Sequence, residues 1–209
     1  MIRDISTPGR AAATTPRRPD RNAPYRPASD DHPLLLGHGG VLTVDRLGTV
    51  PYVPTWELQD ELAEQRRGRR IGDRLLLLEH FPVYTLGRRG DESNLLASRE
   101  RLREIGAELV RIDRGGDITF HGPGQIVAYP IVRLNDHGLS VGGFVRRLEE
   151  TVIAALKSFD IPAQKDDCAI GVWTPNKVGQ LAKICALGVR ILRHRSTRVQ
   201  QWGMEGPEG

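Results

Sequence analysis

The sequence predicts an α+β domain with a mixed, mostly antiparallel sheet flanked by helices. The 209-residue chain, 39% hydrophobic, has the length and apolar content for one domain with one sizeable core. Helical and strand periods intermix without the strict alternation that a doubly wound parallel sheet needs. No internal repeat is present.

Residues 1–32 are rich in Arg, Pro and Ala and have almost nothing to bury, so they read as a disordered tail. The ordered domain is expected over 33–192. "VLTVDRLGTVPY" (Val41–Tyr52) alternates enough for a strand and its exit. "TWELQDELAEQRRG" places Trp56, Gln59, Leu62 and Ala63 near one helical face, and Gly68 ends it. "DRLLLLEHFPVYTLG" begins as a buried strand, is interrupted by Pro82 and leaves into a polar loop at Gly87. Ser98 caps a short helix that runs through Ile105 to Gly106.

"AELVRID" and "QIVAYPIV" are strands on either side of the stretch "RGGDITFHGPG". Ser140 caps the clearest helix, with Val141, Phe144, Val145, Leu148, Val152, Ala155, Leu156 and Phe159 at helical spacing. "CAIGVWT" and "LAKICALGVRIL" read as two more strands. After Leu192 no apolar period continues, and 193–209 reads as a solvated tail.

Charge and composition narrow the function. The net charge is +4 with both signs interspersed, and aromatics are 5% with none interleaved in a basic cluster. A base-stacking nucleic-acid surface is therefore not expected, whereas an acidic protein partner fits. The two cysteines and six histidines lack metal-ligand spacing, which suits a reducing cytoplasmic protein without a structural metal. No apolar run approaches the roughly 20 residues of a membrane helix, and no secretory segment follows the start.

The chemistry concentrates in "RGGDITFHGPGQIVAYP" (Arg114–Pro130). Glycines let backbone N–H groups approach a ligand and point at developing negative charge. Arg114 binds an anion or holds the loop by bidentate pairing. Thr119 and His121 are candidate donors to a carbonyl or oxyanion. The plainer reading is a tight β-turn with a buried, hydrogen-bonded histidine. A Walker-type phosphate loop is excluded, because no GK[ST] follows. Lys183 is a lone cation in an apolar strand: either desolvation depresses its pKa or demands a partner, or it snorkels from an edge strand. Cys185, two residues on, faces the same side of a regular strand, where an ammonium favours thiolate, but a buried core position is the preferred reading. Cys168 reads as structural.

This stretch resembles the signature of the octanoyl (lipoyl) transferases of the lipoate-protein ligase B type. The resemblance extends through "LLLLEHFPVYTLGRRG", "GVW" and "KICALGVR", from about Leu42 to Arg190. It implies the fold of the biotin and lipoate protein ligases. It also implies transfer of an octanoyl group from acyl carrier protein to a lysine on lipoyl domains of 2-oxoacid dehydrogenase E2 subunits and on the glycine cleavage H protein.

Substrate contacts carried over by the resemblance are Arg114, Gly115, Gly116, Asp117, Ile118, Thr119, Phe120 and His121, with a second turn at Ala186, Leu187 and Gly188. The activating lysine falls on Lys183, which would lower the pKa of a cysteine nucleophile. That cysteine attacks the carrier thioester, and the target amine then takes the acyl group. Backbone N–H groups of the two segments would hold the oxyanion. No cofactor is implied, since the donor is already a thioester. The apolar faces of Leu75–Leu78 and Val127–Ile131 are candidates for a channel for eight carbons.

The family's nucleophile lies downstream in a Pro-Cys-Gly context after a His-Gly-Phe-Ala-like segment. Neither stretch follows Ile191 here. The expectation is a chain that keeps the acyl-recognition half without the nucleophile half, as a frameshift or early stop produces. An ATP-dependent lipoate or biotin ligase and a non-catalytic binder of carrier protein or lipoyl domains are the competing readings.

Overall fold

The structure is a computed structural model that describes residues 32–36, 40–114, 117–192 and 196–204. An eight-stranded sheet runs in the order β1-β2-β3-β7-β11-β10-β9-β8. Its strands are β1 (His32–Leu36), β2 (Gly40–Val50), β3 (Asp73–His80), β7 (Ile126–Val132), β8 (Gln164–Lys165), β9 (Val172–Pro175), β10 (Leu181–Leu192) and β11 (Ser196–Met204). Within this sheet, among the described residues, only β2 and β3 pair in parallel. A second sheet of three strands, β4 (Val83–Leu86), β5 (Glu108–Arg111) and β6 (Ile118–His121), has the order β5-β4-β6. The expected α+β class with mixed, mostly antiparallel pairing is the fold observed.

Among the described residues, three α-helices accompany the sheets. α1 (Tyr52–Arg67) starts three residues before its expected Thr55. Pro51 ends β2, and Pro54 is tolerated because first-turn N–H groups have no intrahelical partner. The buried face of α1 includes Gln59, Leu62 and Ala63. It packs on Leu76, Leu78, Val127, Tyr129 and Ile131, all nearly inaccessible. This face of β3 and β7 is filled by α1. α2 (Arg99–Ile105) is capped by the Ser98 hydroxyl and closed by Gly106, as anticipated. α3 (Val141–Lys157) begins at Ser140, whose hydroxyl accepts from the Gly143 N–H. It buries Phe144, Leu148, Val152 and Leu156 over the β9–β10 half of the large sheet.

A buried ionic hub fixes the far end of the molecule. Asp73, at the start of β3, accepts from Arg66 Nε on α1 (2.5 Å), from His137 Nε2 and from the Arg133 N–H. Arg66 Nη2 also reaches Asp136 at 2.8 Å. Both members of the central pair are buried.

Two expected boundaries differ. The segment read as a solvated tail carries β11, which pairs between β10 and β7 in the middle of the large sheet. Backbone hydrogen bonding, not an apolar period, recruits it. The strand expected at Cys168–Thr174 begins only at Val172, because Asp166 captures the N–H groups of Cys168 and Ala169 in a local turn. Residues 1–31, 193–195 and 205–209 lie outside the described residues, as do Gly115 and Gly116.

Candidate functional site

The stretch from Arg114 to Gln125 divides into two parts with different jobs. Its second half is a tight turn that carries the chain from β6 in the small sheet to β7 in the large one. Gln125 N–H donates to Gly122 O at 3.1 Å, Pro123 holds the second corner, and Gly124 takes φ +89°. That is a type II turn, whose third position needs a glycine. Glu79 on β3 receives the Gly124 N–H at 2.9 Å and ties the turn to the large sheet. Gly-Pro-Gly is thus turn chemistry.

His121 follows the plainer of its two readings. It is buried and donates from Nδ1 to Gln125 Oε1 at 2.5 Å; the Gln125 amide is oriented by its own bond to Phe120 O at 3.3 Å. Its ring stacks near Tyr52 at 6.0 Å and meets the edge of His80 at 5.6 Å. His80 donates from Nδ1 to Val50 O (3.1 Å) and accepts at Nε2 from the Tyr129 hydroxyl (2.9 Å). Burial drives the His121 pKa down to about 4, opposed by its Gln125 hydrogen bond and helped by the Arg114 charge. For His80, burial and then the neighbouring His121 lower it to about 3. Two neutral imidazoles form the floor beneath the loop, rather than an exposed donor set.

Arg114 is buried, and its Nη2 donates to Thr85 O, Thr85 Oγ1 and Thr119 Oγ1, each at 2.9 Å. Burial lowers the guanidinium pKa, against the opposing pull of Tyr52, Asp117 and Tyr129. Arg114 therefore holds the loop; its anchors are β4 and β6. The loop backbone accepts from a neighbouring turn: Gly87 N–H bonds Asp117 O (2.8 Å) and Arg88 N–H bonds Arg114 O (2.9 Å). Asp117 is fixed further by Asn94 Nδ2 at 2.7 Å. Ile118 pairs with Leu86 in the ladder, and the partly exposed Phe120 leans on Tyr84 with ring centroids 4.8 Å apart.

Ala186, Leu187 and Gly188 do not form the expected turn. They lie within β10, opposite Gly203, Trp202 and Gln201 of β11, and the ladder skips Gln200 before Val189. Pairing on this edge keeps the backbone extended. Leu187 packs toward α3.

Lys183 has acquired partners. Its Nζ donates to Ile170 O at 3.1 Å and lies 4.7 Å from the centre of the Trp173 ring. Gly171 makes room for this arrangement at φ +135°, where a Cβ would stand 2.6 Å from Cys185 O and 3.3 Å from Lys183 Cε. Its N–H is held by the buried Glu149 of α3 at 3.1 Å. Lys183 is exposed while Ile184 and Cys185 are both buried, because Ile184 is an extra residue in the β10–β9 ladder. The bulge breaks the alternation and places Cys185 in the core under α3, on the opposite side from the lysine. Burial, then the Glu149 charge, push the Cys185 thiol up to about 12 despite Lys183. Cys168 is exposed, not a structural core residue.

Sequence reasoning missed Glu149, His80, Gln125 and Trp173. An acid in the apolar stripe of α3 and a histidine closing an apolar strand are the signals that pointed to the first two. Among the described residues no group of three or more His, Cys, Asp or Glu side chains gathers to hold a metal. No helix there is long and apolar enough to cross a membrane.

The chain resembles known proteins over most of its length. An octanoyltransferase of Rubrobacter xylanophilus is 50% identical over 152 residues, covering 72% of this chain and 66% of that protein. One of Chloroflexus aggregans is 46% identical over 150 residues with the same coverage. The chain thus spans just under two thirds of these relatives. In fold it is similar to a solved structure described as a bipartite lipoate protein ligase and its E2 lipoyl domain from Thermoplasma acidophilum (TM-score 0.55, 16% identity, 79% of this chain and 60% of that one). A lipoate-protein ligase A bound with ATP is similar at TM-score 0.53 and 15% identity, covering 79% and 66%. Residues 51–199 match the family described as the lipoyl protein ligase A/B catalytic domain. A match over that much of the chain, on the same mixed sheet, makes this protein a member of the lipoyl protein ligase A/B catalytic-domain family.

Proposed function

We propose that this chain serves octanoyl transfer in protein lipoylation. It recognises the octanoyl group of octanoyl-acyl carrier protein that is destined for a lysine on lipoyl domains of 2-oxoacid dehydrogenase E2 subunits and the glycine cleavage H protein. The carrying observation is an exposed Lys183 whose position is fixed by Ile170 and Trp173, in a chain whose Arg114 is anchored to Thr85 and Thr119. The octanoyltransferase relatives at 46–50% identity support the transferase reading over the ATP-dependent one. Arg114, Gly115, Gly116, Asp117, Ile118 and Thr119 form the proposed contact loop, with Phe120 at its rim and His121 as its buried support. Ala186, Leu187 and Gly188 supply the second contact from β10.

An ammonium has three N–H donors, and Lys183 gives one to Ile170 O. The others suit stabilisation of a thiolate or an oxyanion. Neither cysteine of the 209-residue sequence fits the attacking role. Cys185 is buried as a thiol on the wrong side of β10, and Cys168 sits in the Asp166 turn. The residues named here are therefore assigned to recognition of the acyl donor and not to the nucleophilic attack. It acts in the cytoplasm, where carrier protein and lipoyl domains are made.

Titration with octanoyl-acyl carrier protein, alongside an acyl-transfer assay to an apo lipoyl domain, tests the reading. Saturable binding is expected, and absence of binding refutes recognition. Transfer that is abolished in a Cys168→Ser or Cys185→Ser variant refutes the exclusion of that cysteine as nucleophile. ATP-dependent activation of free octanoate or lipoate assigns the chain to the ligases instead.

A further inference from the structure

Arg190 joins the two proposed contact segments. It lies on β10 two residues beyond Gly188, just after the point where the β11 ladder skips Gln200. An irregularity of this kind re-aims the side chains that follow it. Its Nη2 meets Asp113 Oδ2 at 2.8 Å, and its Nη1 lies 3.5 Å from Asp60 Oδ1 on α1. Asp113 immediately precedes Arg114. The loop is thus held from the small sheet by the Arg114 guanidinium and from the large sheet by Arg190.

We propose that Arg190 is a positioning residue that sets the spacing between the Arg114–Thr119 loop and the Ala186–Gly188 segment, and so tunes acyl-ligand affinity without touching the ligand. The ligand part rests on the function proposed above; the spacing part does not. A guanidinium is suited to this because its rigid planar fork meets Asp113 through Nη2 while Nη1 faces Asp60 in a longer ion pair without a hydrogen bond. Asp113 is about half exposed, so solvent screens the pair and the effect is moderate.

The test uses the full chain and its R190A, R190K and D113N variants, with a D113R/R190D charge swap. Hydrogen exchange of the Gly87 and Arg88 amides, which bond the Asp117 and Arg114 carbonyls, reports how firmly the loop is held in place. Titration with the amide analogue of octanoyl-pantetheine reports affinity. R190A and D113N are expected to speed exchange and weaken binding by about three- to fivefold. R190K should fall between, and the swap should recover at least half of each loss. Unchanged exchange in both R190A and D113N overturns the spacing role. Faster exchange with unchanged affinity overturns the link to the ligand. If the unmodified chain fails to bind the analogue while exchange still responds, the function proposed above is what fails, and the spacing role stands. Should R190A not fold, D113N and R190K decide the matter, since Asp113 is exposed.

Discussion

Stability should fall steeply between pH 7 and pH 5 because of His80 and His121. In the native state burial holds their pKa values near 3 and near 4, against 6.5 for an exposed imidazole. Between pH 6.5 and the folded values, the unfolded chain binds protons that the native state refuses. Stability is therefore fully present above about pH 6.5 and is lost as pH falls through this window. Each pH unit below 6.5 costs about 1.4 kcal/mol per histidine. At pH 5 that is about 2 kcal/mol each, or about 4 kcal/mol for both, a large part of an ordinary domain's stability. Ordinary carboxylates titrate near pH 4, so the window reports mainly on the histidines. Urea denaturation at pH 7 and pH 5 at constant ionic strength measures the loss. Imidazole Cε1–H chemical shifts follow each ring in the folded protein. A His80 or His121 resonance titrating near 6.5, or equal stability at the two pH values, would refute the buried neutral pair.

Three other outcomes follow from single contacts. Asp73→Ala leaves the buried Arg66 guanidinium with Asp136 alone and removes the acceptor for His137 and the Arg133 N–H. A loss of about 3 kcal/mol in urea denaturation is expected, and less than about 1 kcal/mol would show that the hub is not a desolvated pair. Gly171→Ala drives a Cβ to 2.6 Å from Cys185 O at φ +135°. It should cost about 2–4 kcal/mol by the same assay and displace Lys183 from Trp173, seen as altered tryptophan fluorescence. A variant of unchanged stability contradicts that close approach. A thiol reagent should modify one cysteine per chain in the native state, Cys168, and two in denaturant, because Cys185 is buried with its thiol pKa near 12. Two fast-reacting native thiols would remove Cys185 from the core.

Much of the fold was legible because local physical rules agreed with one another. Ser98 and Ser140 cap helices where a hydroxyl precedes an apolar helical period, and Gly106 closes α2 at φ +64°. Pro82 divides β3 from β4 because a proline cannot donate to the ladder. β11 was not legible. Its place depends on partners in β7 and β10 that lie far apart in the chain, and sequence period carries no information on that pairing.

The site divides in the same way. By itself, the sequence determined the family and singled out the candidate residues: the dense Arg-Gly-Gly-to-His stretch and the lone Lys183. Only the tertiary structure decided what each one does. A one-residue bulge at Ile184 separates Lys183 from Cys185, although strand alternation places them together. Burial turns His121 from a candidate donor into a neutral support and Arg114 from a candidate anion ligand into a loop anchor. The reason is that a side chain's residue type sets which bonds it can make, whereas desolvation and register set which of those bonds remain available.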